Sequence, residues 1–390
     1  MKNRFFIRLI LIKPVVFPAL LLEPRSGSRR EDYWGKRGMV TIQELLEKAA
    51  GMNGSDLHLS VGAPPKVRIF GELKNIEGLR LTPEDMHELV YSILPAKLVP
   101  RFEEQGEVDF SYSIPSIGRY RVNLYLQRGS LAMTIRLVGE QIPSAAELGI
   151  PEAVTDLVHK RRGLVLVTGP TASGKTSTLA SLIDLINSNY AYSIITLEDP
   201  VEYLHPHKMS IVNQREIGTD TKSYSTALTS ALRDNPDVIV IGEMRDAETI
   251  STALTAAETG HLVFSTSHTL GATNTIDRII DAFPPYQQTQ VRSQLAAVIE
   301  GIISQQLIPI ADNRGRKAAF EVMLANPSIR AMIREGKTHQ IGGIMQANKR
   351  QGMQIMDDAL FELYVNHFID REQAIGYAMD PVVLGARMFA

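Results

Sequence analysis

GLVLVTGPTASGKTS, residues 163–177, is the segment from which the rest of the chain can be read. Residues 164–167 are a short apolar run of the length of a buried strand. Gly169-Pro170-Thr171-Ala172-Ser173-Gly174-Lys175-Thr176 then matches the phosphate-binding loop pattern in full, with Ser177 next. Residues 178–186 carry apolar side chains at helical spacing. Strand, loop and helix are the context that the pattern needs, which sets it apart from a chance glycine-rich turn. Loop N–H groups wrap phosphates, and the helix N-terminus adds a favourable dipole. Lys175 can reach the β- and γ-phosphates, and the Thr176 hydroxyl can ligate Mg²⁺.

The chain has 390 residues, enough for two or three domains. It is 44% hydrophobic and 22% charged, with a net charge of −2, so no global basic field recruits nucleic acid. With 0 cysteines, disulfides, thiolate zinc sites and cysteine nucleophiles are all excluded.

Outward from the loop, the pattern divides. Residues 1–38 form a non-domain extension, read as a misassigned start: the mostly apolar stretch 5–22 is broken by Arg8, Lys13, Pro14 and Pro18, and 23–38 is strongly charged. From 39 to 139, helices at 41–50 and 83–94 accompany short alternating strands at 56–61, 66–70, 108–114, 120–126 and 132–137, a small α+β domain. Residues 140–162 serve as a hinge, with 151–160 helical. From 163 to 390, apolar strands at 164–167, 193–197, 238–241 and 262–265 alternate with helices, which calls for a parallel sheet covered on both faces. Beyond Phe283 the pattern is mainly helical.

Acidic residues fall where such a sheet presents its ligand crevice, at strand ends. TLEDPVEY (196–203) places Glu202 to orient or deprotonate an attacking water. DVIVIGE (237–243) ends in Glu243, placed to hold Mg²⁺ through water, whereas Asp237 sits at the opposite end and is structural. His261 and His268 flank the strand LVFST, and His268, at the ligand edge, is the candidate phosphate sensor. Arg119, Arg121, Arg128 and Arg136 cluster in the first-domain strands. Arg119 and Arg121 share a face, and against a nucleotide they could neutralise charge developing on its γ-phosphate; a solvated sheet face is the simpler alternative.

Together these residues resemble the secretion ATPase superfamily, specifically the PilT-like type IV pilus retraction ATPases. The resemblance runs from about Met39 to about Gly385. It is carried by GSDLHLS (54–60), GRYRVN (118–123), the phosphate loop, TLEDPVEY, IGEMRD (241–246), TGHLVFSTSHT (259–269) and SIRAMIRE (328–335), in that order. It implies an α/β fold, with a PAS-like N-terminal domain and a RecA-like P-loop NTPase core. It makes Glu202 the catalytic glutamate and Glu243 the Walker B glutamate. Arg119, Arg121 and Arg136 would approach a nucleotide at a domain or subunit boundary. The implied protein hydrolyses ATP with Mg²⁺ as a homohexameric ring, cytoplasmic and peripheral at the inner membrane. It would act on a PilC-like platform protein, and so indirectly on pilin, without nucleic acid.

The chain departs from the pattern at Ala172, where glycine is usual, and at Ser328, where alanine is commoner; residues 1–38 match nothing in it. The nearest rival, a pilus-assembly or type II secretion ATPase, commonly carries a four-cysteine zinc element and a larger N-terminal region. A nucleic-acid motor on the same fold lacks electrostatic support, and a non-hydrolysing scaffold is disfavoured by Glu202 and Glu243.

Residues 326–336 form a further expectation. Asn326 and Pro327 suit a helix start, and Gly336 its exit. Ile329 and Ile333 share an apolar face, while Arg330, Arg334 and Glu335 lie elsewhere. None belongs to the nucleotide machinery; composition alone favours an ordinary packed helix, but the resemblance to the retraction signature implies that it transmits motion or contacts the platform. Replacing both isoleucines by alanine should then leave a folded ATPase that fails to retract pili.

Overall fold

The structure is a computed structural model that describes residues 40–69, 72–76, 80–114, 118–137, 142–310 and 315–389. The extension 1–38 lies outside the described residues.

The first sheet is antiparallel: β1 Asp56–Ser60, β2 Lys66–Ile69, β3 Glu72–Asn75, β4 Glu107–Ile114, β5 Gly118–Gln127 and β6 Ser130–Leu137, in the order β3-β2-β1-β6-β5-β4. Two helices, Ile42–Gly51 and Pro83–Ile93, pack on one face, and both begin with a capping box, from Thr41 with Glu44 and from Thr82 with Asp85. Successive strand residues point to opposite faces. Leu57, Leu59, Val122, Leu124, Met133 and Ile135 therefore enter the core with Leu45, Leu46 and Met86. The other face is polar. There Asp56, Arg136 and Arg121 stand opposite one another on β1, β6 and β5, with Ser111 of β4 beside Arg121. Strand β3 and the helix Val99–Gln105 escape the sequence reading; β3 is exposed throughout, so burial leaves no pattern on it.

The second sheet contains β7 Gly163–Thr168, β8 Ser193–Glu198, β9 Ile211–Glu216, β10 Val238–Ile241, β11 Leu262–Ser267, β12 Ile299–Pro309 and β13 Arg316–Leu324, in the order β13-β12-β7-β11-β10-β8-β9. All pairs are parallel except β12 with β13. Both faces are buried, as helix crossovers require. Leu164 and Leu166 face one core with the helices Ala247–Glu258 and Pro285–Val298, while Val165 faces another with Lys175–Asn189.

Two sequence expectations need adjustment. The segment after Phe283 is mainly helical, as expected, but it also contains a long antiparallel hairpin, β12 with β13, that the sequence reading missed. Burial on both faces of β12 removes the alternation that marks a strand, so its apolar run reads as well for a helix. The predicted helix 151–160 is only the turn Glu152–Thr155 running into the 3₁₀ segment Asp156–His159.

Candidate active site

The phosphate loop joins β7 to the helix Lys175–Asn189, at the carboxyl ends of the parallel strands. A cleft of about 290 Å³ opens there, and its walls include Thr171, Ala172, Lys175 and Thr176 together with Glu202, Glu243 and His268. Residues from four predicted motifs thus meet around one opening.

Several features of the loop fit a triphosphate. The backbone N–H groups of Gly174, Lys175 and Thr176 have no acceptor among the described residues. The Ser173 hydroxyl is buried without a partner. Lys175 donates its ammonium protons to the Gly169 and Pro170 carbonyls at 2.8 and 2.9 Å. Burial pushes the Lys175 pKa down, and the charges of Glu243 and Glu202 oppose that shift. Ser177 is turned away, sharing a hydrogen bond of 2.8 Å with the Tyr203 hydroxyl.

Ala172 has φ +62°, the left-handed backbone that its usual glycine adopts freely. Ala172→Gly should therefore remove strain worth about 1 kcal/mol, partly offset by the freer unfolded chain. The expected result is a small rise in Tm, up to about 2 °C for a unit of this size. An unchanged or lower Tm would mean that strain at this position does not exceed the entropy that glycine adds to the unfolded chain.

Glu243 receives Arg245 at 2.6 Å and His268 Nε2 at 3.2 Å. Burial alone would raise its pKa, but the Arg245 hydrogen bond and the His268 and Arg245 charges hold it below the ordinary carboxylate value. It is a stable anion at neutral pH, suited to a cation. Among the described residues no cluster of three or more histidine, cysteine or acidic side chains could hold a metal alone. Mg²⁺ at a phosphate site needs no such cluster, since phosphate oxygens and water supply most of its ligands. Thr176 and Glu243 fit that role.

Glu198 and Asp199 line the same cleft and were not singled out from the sequence. Glu198 is half-buried, and desolvation of its carboxyl pushes its pKa up despite hydrogen bonds from Thr196 at 2.6 Å and Gln214 at 3.0 Å. Tyr224 and Arg245 also reach the cleft; burial pushes the Tyr224 pKa up. Their signal was their place near strand ends, which becomes informative once the strand order is known.

The histidines separate as expected by position. His268 is in the site, whereas His261 Nδ1 lies 2.9 Å from the Ala256 carbonyl oxygen. Asp237 accepts from the Ser193 backbone N–H at 2.8 Å, at the far end of β10, a structural role.

The arginines do not act alike. Arg119, expected to face a nucleotide with Arg121, instead pairs with buried Glu216 and donates to the Val201 carbonyl at 2.9 Å. Glu216 also accepts from Ser111 at 2.9 Å and from the Val201 N–H at 3.1 Å. Arg119 therefore clamps the polar face of the first sheet onto the segment that carries Glu202. Arg128 forms the β5–β6 turn with Gly129 and is not in either cleft described here. Arg121 and Arg136 do line a second cleft, of about 210 Å³, which shares Glu202 and Tyr203 with the first. Arg136 is held by Asp56 at 2.9 Å, and Arg121 has no side-chain partner among the described residues.

The helix Pro327–Glu335 forms as its ends require: the Asn326 side chain accepts from the Ile329 N–H at 2.8 Å, and Gly336 closes it with φ +69°. Ile329 and Ile333 are 0% exposed and belong to the core, so they cannot touch a partner directly. Arg330 donates to the Ala296 and Ala297 carbonyls at 2.8 and 2.7 Å and pairs with Glu300 at 2.7 Å. Glu300 also meets Lys160 at 3.0 Å. Arg334 and Glu335 are exposed, the latter paired with Lys337.

Fold and site together define a P-loop nucleoside triphosphate-binding protein. The chain belongs to the family described as Type II/IV secretion system protein, whose model matches residues 132–364. It is 45% identical to the type IV pilus retractation ATPase PilT of Pseudomonas aeruginosa, across 86% of this chain and 97% of that protein. It is 43% identical to a twitching motility protein of Neisseria gonorrhoeae, across 80% and 83% respectively. The crystal structure of the pilus retraction motor PilT with bound ADP superposes with a TM-score of 0.84 at 48% identity, covering 89% of this chain and 99% of the other.

Proposed function

We propose that this chain is an ATP-hydrolysing motor that drives type IV pilus retraction for twitching motility. The observation that carries the reading is likeness to retraction ATPases over nearly their whole length, combined with a cleft that joins Lys175, Glu202 and Glu243. The loop amides and Lys175 bind the triphosphate of ATP. Thr176 and, through water, Glu243 would hold Mg²⁺, which would supply positive charge against the phosphates. Glu202 orients the water and takes its proton, while His268 steadies Glu243 and reports the γ-phosphate. Arg121 and Arg136 project from the first sheet toward Glu202 and supply positive charge at the domain or subunit boundary.

Residues 39–139 and 163–390 act as two domains about the hinge 140–162, and nucleotide turnover moves one against the other. The working assembly is a homohexamer at the cytoplasmic face of the inner membrane, where it acts on a PilC-like platform protein and through it on pilin. Among the described residues no helix is long and apolar enough to cross a membrane.

A deletion strain tests the reading. Cells should carry persistent, excess pili and fail to twitch, and the gene should restore twitching. Bald cells would transfer the role to pilus assembly, and normal twitching would remove the protein from pilus retraction.

A further inference from the structure

Strand β12 carries three consecutive buried polar residues, Ser304, Gln305 and Gln306, at 0%, 2% and 6% exposure in an otherwise apolar run. Burying polar groups is costly unless each is hydrogen-bonded, so such a run needs a reason. Each of the three holds a different element. The Ser304 hydroxyl accepts from the Gly271 N–H at 2.9 Å, just beyond the histidine motif. Gln306 donates to the Tyr377 carbonyl at 3.1 Å, in the C-terminal helices. Gln305 lies against the phosphate loop.

The contact with the loop is close and has three parts. Gln305 Oε1 accepts from the Thr178 hydroxyl at 2.8 Å, in the first turn of the helix that follows the loop. A Cβ on Gly169 would come within 2.2 Å of the Gln305 carbonyl oxygen. A Cβ on Gly174 would come within 2.8 Å of Gln305 Nε2. Both motif glycines are therefore the places where the loop rests on this one residue. Strand β7 continues the support, since Ser304 pairs with Thr168 across the ladder.

We infer that Gln305 is a positioning residue for nucleotide binding: it fixes the phosphate loop from beneath and, with its two neighbours, ties the loop to the C-terminal helices. It touches no reacting atom. It sets the attitude of Gly169 and Gly174, and so the direction of the amides that meet the phosphates. The inference rests on the loop binding nucleotide, not on pilus retraction, and it fails separately from that reading.

The test uses the full chain and a fluorescent ADP analogue titrated at equilibrium, with ATP turnover measured alongside. Thr178→Val removes the hydroxyl but keeps the shape. It should weaken ADP binding and raise KM for ATP about tenfold, with a smaller change in kcat. Thr178→Ser restores the hydroxyl and should return both to the wild-type value. Gln305→Leu should weaken binding at least as much, and the Gln305→Leu/Thr178→Val double variant no more than Gln305→Leu alone, because one contact cannot be lost twice. Wild-type affinity in Thr178→Val, or fully additive losses in the double variant, would overturn the inference. So would a lower Tm with unchanged affinity in Thr178→Val, since that is packing alone. If Gln305→Leu does not fold, the Val and Ser pair at Thr178 decides the matter.

Discussion

Glu202→Gln is expected to bind ATP as the wild type does and to lose turnover by about 10²–10⁴-fold, the usual contribution of a general base. The amide keeps the size of the carboxylate and cannot take a proton from water. Three other acids share the cleft, and the structure ranks them below Glu202. Glu198 is already engaged, accepting hydrogen bonds from Thr196 at 2.6 Å and Gln214 at 3.0 Å. Glu243 is held as a low-pKa anion between Arg245 and His268. Asp199 is more exposed than Glu202. Glu202 is half-buried beside Lys175, and its carboxylate has no hydrogen-bond partner among the described residues. Phosphate release under single-turnover conditions, with ADP affinity measured in parallel, checks the assignment. Wild-type release from Glu202→Gln together with loss in Asp199→Asn would move the role to Asp199.

The double variant Ile329→Ala/Ile333→Ala should unfold or fail to accumulate, contrary to the expectation from sequence that it stays folded. Both side chains are fully buried against the core beneath the helix Pro285–Val298. Each truncation removes apolar contact and leaves a cavity, at about 2–5 kcal/mol. Two such losses approach the whole stability of an ordinary protein, about 5–15 kcal/mol. Thermal unfolding of the purified variant is the measurement, and a Tm within a few degrees of wild type would show that the core closes over the gap. Coupling is better addressed at the surface of the same helix. Arg334→Ala with Glu335→Ala removes one solvent-screened ion pair at the surface and should leave ATPase activity intact. Loss of twitching in cells carrying that variant would then mark a contact with the retraction machinery.

Much of the site was legible in one dimension because phosphate chemistry uses contiguous backbone. Gly169 to Thr176 must be adjacent in sequence for their amides to surround one triphosphate, so the loop announces itself. Glu202, Glu243 and His268 were found by a weaker rule, that acids and histidines at the carboxyl ends of parallel strands meet. Strands β8, β10 and β11 bring them together as that rule requires. Ala172 was flagged from its place in the motif, and its backbone is indeed left-handed.

The arginines were not legible in that way. Face-sharing at a spacing of two residues holds for Arg119 and Arg121, yet one is neutralised by Glu216 and the other has no side-chain partner among the described residues. That difference is set by a docked surface 97 residues away in sequence. The burial of Ile329 and Ile333 was not legible for the same reason: an apolar helical face is identical on paper whether it meets a core or a partner. Gln305 is the clearest case. Nothing around SQQ in β12 marks it as part of a nucleotide site, and only the pairing of β12 with β7 brings it beneath Gly169 and Gly174. Sequence alone thus determined the elements whose chemistry is local: the loop, its flanking strand and helix, and the caps. Tertiary structure decided which distant side chains neutralise, support or bury one another, because those free energies depend on separation in space and on exclusion of water, neither of which is written along the chain.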